Sequence, residues 1–386
     1  MRSLANVYRG VRSLCALAAI AGGLSSAGCA DRTGDLGLAG EAAQSIAGVR
    51  GLASPAGLHR PCPPPADGYA RCALVVAESA PSGYGPADLW SAYAVSGAVG
   101  TGGMGATVAI VDAYDDPNLE SDLSVYRSTY GLSACTASSG CLSRVNQTGG
   151  SKLPPGNEAW GSEESLEADM VSALCPNCRI LLVEAKSATL SDLGKAVTEA
   201  AKLGATTIAT GYSGSEFHRE DTNSPYDAAR PVTAASGDEG FGVGFPAASP
   251  YVIAVGATTL SEGGGGSRGW TETAVSGGGC SRYAKKPSWQ KDHFCSTRTD
   301  VDVAFVGDPA TGVAIYDTYG FNGWMVVGGT SIGSAAIAAI YALAGNTQGI
   351  ENAEGLYANA SELYDIPPEG YDEATGNGTP DGTAAF

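Results

Sequence analysis

Histidine is nearly absent: His59, His218 and His293 are the three in a chain of 386 residues. They are not spaced as a ligand pair, so they build no zinc site. None stands in a recognisable strand-end motif, which disfavours a histidine-based catalytic triad. Basic residues are scarce too, 22 against 40 acidic ones, for a formal net charge of −18. With that balance and no basic patch, a nucleic-acid partner is not expected. Beyond the N-terminus no segment approaches ~20 uninterrupted apolar residues, so no transmembrane span is expected. The glycine runs Gly263 to Gly266 and Gly277 to Gly279 read as surface loops, not as a strand-associated phosphate loop. There is no internal repeat.

What is present begins with an export signal over residues 1–28. Arg2, Arg9 and Arg12 precede the apolar run Leu14 to Leu24 and the small residues Ser25, Ser26 and Ala27. Cys29 follows directly, and two outcomes stay open: a lipid anchor at Cys29, or cleavage near Ala27. Either places the protein outside the cytoplasm, extracellular or anchored to the cell envelope. Residues 29–61, rich in Gly, Ala and Ser, read as a flexible linker. Residues 62–386 read as one domain, and a monomer is expected.

Eight cysteines lie in that domain as four close neighbours: Cys62 with Cys72, Cys135 with Cys141, Cys175 with Cys178, Cys280 with Cys295. An even number in an exported chain argues for disulfides, and neighbour pairing is the simplest of many connectivities. The rival for Cys175-Pro-Asn-Cys178 is half a zinc site or a redox pair.

Regular patterning starts at Thr107. Val108 to Val111 is a buried strand, Pro117 to Tyr130 an amphipathic helix, Arg179 to Glu184 a second strand, Leu190 to Leu203 a second helix and Thr206 to Thr210 a third strand. Apolar runs recur at Val232 to Ala235, Tyr251 to Val255, Val301 to Phe305, Val313 to Tyr316 and Trp324 to Val327. The alternation predicts an α/β fold, a mostly parallel sheet with helices on both faces and functional groups at strand ends.

Three stretches have the character of a site. In Trp160 to Cys178, placed on a helix, Leu166, Met170 and Leu174 form one apolar stripe, and Glu163 and Glu167 fall inside it. Two core-facing carboxylates one turn apart suggest a coupled acid/base pair. Glu164 and Asp169 read as solvated acids, and Ser162 as a cap. In Trp324 to Ser331, a strand runs through two glycines to a serine at the start of the helix Ile332 to Leu343, where unpaired N–H groups favour an anion. Asp238 lies on a glycine-flanked turn after a buried strand. In isolation, Ser331 also reads as an ordinary N-cap and Asp238 as an ordinary turn residue.

Together with VAIVDAYDDPN at 108–118, CPNCRILLVEA at 175–185, SGDEG at 236–240, FPAASPYVIAVGATTL at 245–260 and GGTS at 328–331, these stretches resemble the sedolisins, serine-carboxyl peptidases with a subtilisin-like fold. The resemblance covers roughly residues 62–386. It implies Ser331 as nucleophile, Glu163 as its base, Glu167 as the group that orients the base, and Asp238 as a protonated partner of the oxyanion. It implies protein or peptide substrates cut in acid, where a histidine would already be protonated and a glutamate can still accept a proton. It also implies a calcium loop at Asp365, Ile366, Gly370 and Asp372, whose oxygens suit Ca2+.

The chain departs from the pattern. Glu167 stands where the family has aspartate, and Ala335 where it has proline. Thr210-Gly-Tyr-Ser replaces Asn-Ser-Tyr-Gly, and the large folding prosegment of many members is not expected in the short stretch ahead of the domain. A catalytically inactive binding or surface protein with the same fold is therefore the alternative. A further option gives Asp112, at the end of the first strand, the orienting role.

Overall fold

The computed structural model describes residues 58–77, 83–218, 224–262, 268–368 and 370–386. The export signal, Cys29 and nearly all of the linker lie outside them. The last linker residues are already part of the fold, since Leu58–His59 pairs with Val75–Ala77.

The central sheet has eight strands: β1 (Thr107–Ala113), β2 (Leu142–Asn146), β3 (Arg179–Ala185), β4 (Thr207–Thr210), β5 (Val232–Ala235), β6 (Ile253–Glu262), β7 (Arg268–Glu272) and β8 (Val303–Val306). Their order is β7-β6-β5-β4-β1-β3-β2, with β8 also on β6, and every pairing is parallel except β6 with β7. In β1 every residue from Val108 to Ala113 is buried, so both sheet faces are covered. A continuous apolar run is what such a strand requires.

Among the described residues four helices exceed two turns: α1 (Leu119–Thr129), α2 (Glu158–Leu174), α3 (Leu190–Lys202) and α4 (Thr330–Ala344). The last three pack against the sheet, and α1 packs on α2. Helix α3 buries one face, Leu193, Ala196, Val197 and Ala200. Helices α2 and α4 are different, because they pack on each other inside the core. Asn157, not Ser162, caps α2, accepting the Trp160 N–H at 3.1 Å. Ser162 lies inside the first turns and donates to the Glu158 carbonyl and to Asp317.

Glu164 and Asp169 are buried, against the expectation from periodicity. The α2 face carrying them is covered by α1, by Val313–Asp317 and by the turn after β1. Glu164 accepts the Asp116 N–H and Asp169 the Tyr316 N–H, each at 2.9 Å. All four neighbouring cysteine pairs are disulfides, so Cys175 and Cys178 hold each other and are spent as zinc ligands. Strand β6 runs on to Glu262, well past the expected Val255, because its second half pairs with β7.

Candidate active site

The chain after β4 and the loop after β5 meet the N-terminus of α4 next to α2. Gly329 precedes α4 with φ +115°, and a Cβ there would lie 2.2 Å from the Ala73 carbonyl oxygen. Both the left-handed backbone and the close approach call for glycine. Ser331 is the second residue of α4, so it is not the cap.

Its Oγ donates to the Ala73 carbonyl oxygen at 2.6 Å. Asp238 reaches the same place from the β5 loop. Its Oδ1 accepts the Thr330 N–H at 2.8 Å and the Thr330 hydroxyl at 2.9 Å, while its Oδ2 lies 3.2 Å from the point a Gly329 Cβ would occupy. Burial pushes the Asp238 carboxyl up from its ordinary range, held back by the two Thr330 hydrogen bonds and by Arg60 and Arg71. Burial thus favours the protonated form of this acid.

From α2, Glu163 and Glu167 converge on one point beside Gly211. Both are fully buried, as is Asp112 at the end of β1. Burial raises all three carboxyls well above their usual range. For Glu163 the Asp112 charge adds to this, and the Ser331 hydroxyl within reach opposes it. Asp112 is linked electrostatically to both glutamates, most closely to Glu167. Among the described residues no N–H or hydroxyl makes a hydrogen bond to any of their six oxygens. Buried carboxyls in that condition must hold protons among themselves.

A segment ahead of the regular patterning fills the cleft. Ala70–Cys72 pairs antiparallel with Tyr212–Ser215, the Ala73 N–H donates to the Gly211 carbonyl at 3.1 Å, and Val75–Ala77 pairs antiparallel with Gly323–Gly328. Residues 70–77 thus cross the site as an extended peptide, with the Ala73 carbonyl at Ser331. Short apolar runs such as Ala73–Ala77 carry no mark of this in sequence, because their partners lie far along the chain. Beside Asp238 a cavity of about 240 Å³ opens between Ser213, Gly214, Ser236 and Gly237, with the Arg71–Glu239 ion pair also in its wall.

Asp365 and Asp372 lie close enough for the first to raise the pKa of the second, after burial as the main cause. Asp365 accepts the Gly370 N–H, and Asp372 accepts the Ala374 and Thr375 N–H groups and the Thr375 hydroxyl. Ile366 is buried between them in sequence. The donors are all oxygen and the two charges repel, a set that fits a hard cation.

A buried serine at a helix N-terminus, on a doubly covered parallel sheet and faced by carboxyls instead of histidine, defines a subtilisin-like α/β protein. Pseudomonas sedolisin, a serine-carboxyl proteinase solved with two molecules of pseudo-iodotyrostatin, has this fold, with TM-score 0.65 and 23% identity over 78% of this chain and 96% of that one. Fervidolysin from Fervidobacterium pennivorans, a keratinolytic enzyme related to subtilisin, shares it with TM-score 0.50 and 15% identity over 75% of this chain and 44% of that one. Kumamolisin of Bacillus sp. (strain MN-32) is 30% identical over 343 residues, 77% of this chain and 58% of its own length. Xanthomonalisin of Xanthomonas sp. (strain T-22) is 34% identical over 179 residues, 36% of this chain and 21% of its own length. No protein-family model matches. The chain belongs to the sedolisin family. It spans little more than half the length of kumamolisin. Among the described residues no helix is long and apolar enough to cross a membrane.

Proposed function

We propose that the protein is an exported serine-carboxyl endopeptidase that cuts peptide bonds in acid through an acyl-enzyme on Ser331, and that its first substrate is its own Ala73–Leu74 bond. One observation carries the reading: an extended peptide lies across the site with its Ala73 carbonyl oxygen 2.6 Å from Ser331 Oγ. The four disulfides support an oxidising, extracytoplasmic compartment.

In the reaction, Ser331 Oγ bonds to the substrate carbonyl carbon while its proton passes to Glu163. Asp238, protonated, donates to the oxyanion. Glu163 returns the proton to the leaving amine, the C–N bond breaks, and water then hydrolyses the ester by the same route. Glu167 and Asp112 hold Glu163 in place and share protons with it. The first ionisation of this three-carboxyl cluster is eased by neighbours that can donate to the anion. A second would set like charges together in apolar surroundings, so the cluster works singly ionised, in acid.

The test is a pH series from about 3 to 7 with a denatured protein substrate, read together with the intact mass of the chain. Substrate turnover confined to acid, with a new N-terminus at Leu74, is expected. A chain that stays whole and cleaves nothing would leave the inactive-relative alternative standing. Cys62 and Cys72 both precede Ala73, so their disulfide would not tether the released piece.

Activity falls on the alkaline side when Asp238 loses its proton. Asp238→Asn keeps a neutral donor at every pH, so its alkaline limb should move to higher pH, with roughly tenfold lower kcat at the optimum. An unmoved limb would assign that ionisation to another group.

We also propose calcium at Asp365, Ile366, Gly370 and Asp372, where bound cation would offset the repulsion between the two aspartates. Adding calcium should raise the thermal midpoint and EGTA should lower it, and Asp372→Asn should remove the response. An EGTA-insensitive midpoint rules the site out.

A further inference from the structure

Gly211 follows β4 and sits between the acid pair and the peptide in the cleft. Its φ lies outside the left-handed region, so its backbone is open to any residue and conformation does not explain the glycine. Space does. A Cβ at Gly211 would stand 2.6 Å from Glu163 Oε1, 2.9 Å from Glu167 Cδ and 2.9 Å from Glu167 Oε1. Ordinary carbon contacts begin near ~3.5 Å. Neither carboxyl can swing away into solvent, since both are fully buried. The other side of the residue is committed as well, because its carbonyl accepts the Ala73 N–H.

We infer that Gly211 is a positioning residue matched to Glu167: the missing Cβ is the room that the long carboxyl arm at 167 occupies beside Glu163. An aspartate at 167 would draw that carboxyl back by one methylene, about 1.5 Å, and give Glu163, whose Oε1 is the nearest atom at 2.6 Å, space to move aside. Side-chain size at 211 and arm length at 167 then form one unit. Either change alone displaces Glu163 from Ser331 or leaves a gap, and the two changes together restore contact. A Cβ forced into the present arrangement would also shift the Gly211 carbonyl and loosen the peptide it holds. The inference rests on the peptidase reading for its kinetic consequences only, because the steric fit exists whatever the activity.

The experiment compares wild type, Gly211→Ala, Glu167→Asp and the double variant, measuring thermal midpoint, kcat and KM on a denatured protein substrate, and the pH profile. Gly211→Ala in wild type should lower kcat about 100-fold, the usual effect of a displacement near 1 Å at a reacting group, with an altered acid limb and a lower midpoint. In the Glu167→Asp background the same substitution should change kcat by less than about fivefold and should raise the midpoint. A purely structural glycine would give equal losses in both backgrounds, which overturns the pairing, as does a harmless Gly211→Ala in wild type. A single variant that does not fold beside a double variant that does supports it, and failure of both to fold overturns it. Were wild type inactive, the midpoint coupling alone would decide the pairing, so the two readings fail separately.

Discussion

A Ser331→Ala chain should remain whole under acid conditions in which wild type acquires an N-terminus at Leu74. Loss of the nucleophile in a serine peptidase lowers kcat by about 10⁶-fold, which over any practical incubation is no cleavage at all. The geometry makes the self-cleavage arm of this test unusually direct. The Ala73 carbonyl is already at Ser331, Asp238 approaches the same point, and strands on both sides fix the peptide in register with Tyr212–Ser215 and Gly323–Gly328. Reacting groups held this way need no encounter. Wild-type cleavage should therefore be first order and independent of protein concentration, which separates cutting within a chain from cutting between chains. Until the bond is cut, or the segment leaves, residues 70–77 exclude other peptides from the cleft, so turnover of added substrate should follow self-cleavage with a lag. Wild-type activity on added protein with an intact Ala73–Leu74 bond and no lag would show that the segment is displaced without being processed.

Sequence and structure agree most closely where one periodicity or one buried run decides the matter. Val232–Ala235 is the strand expected, and β1, β3 and β4 differ from expectation by one or two residues at their ends. Glu163 and Glu167 face inward as their spacing implies. The same reasoning fails for Glu164 and Asp169, because it assumes that a helix has a wet side. Helix α2 has none: Asp116 and Tyr316, from widely separated stretches, each donate a backbone N–H to one of those two acids inside the protein. Ala73 at Ser331 was equally hidden, since the two residues are 258 positions apart. In sequence, Glu167 and the Thr210-Gly-Tyr-Ser segment read as two separate departures from the family pattern. In the fold they lie side by side, the missing Cβ of Gly211 leaving room for the carboxyls of Glu163 and Glu167.

Glu163→Gln should reduce kcat on the order of 10⁴-fold, the effect of depriving an active-site serine of a competent base, while making the protein more stable at neutral pH. The amide can donate to the neighbouring Glu167 carboxyl, but it cannot take the Ser331 proton. The stability change has a definite sign. Burial, followed by the Asp112 charge, raises the folded-state pKa of Glu163. A carboxyl raised on folding costs nothing below its unfolded pKa of about 4.3, where both states are protonated, and destabilises progressively as pH climbs towards the folded value. Glutamine carries no such cost. The thermal midpoints of wild type and Glu163→Gln should therefore coincide near pH 4 and separate upward, with the variant the more stable. Opposite movements of activity and stability identify a carboxyl retained for chemistry at the expense of folding, which no purely structural acid would show. Turnover within about tenfold of wild type would assign the base to another carboxyl of the cluster, and Asp112→Asn and Glu167→Gln would then show which.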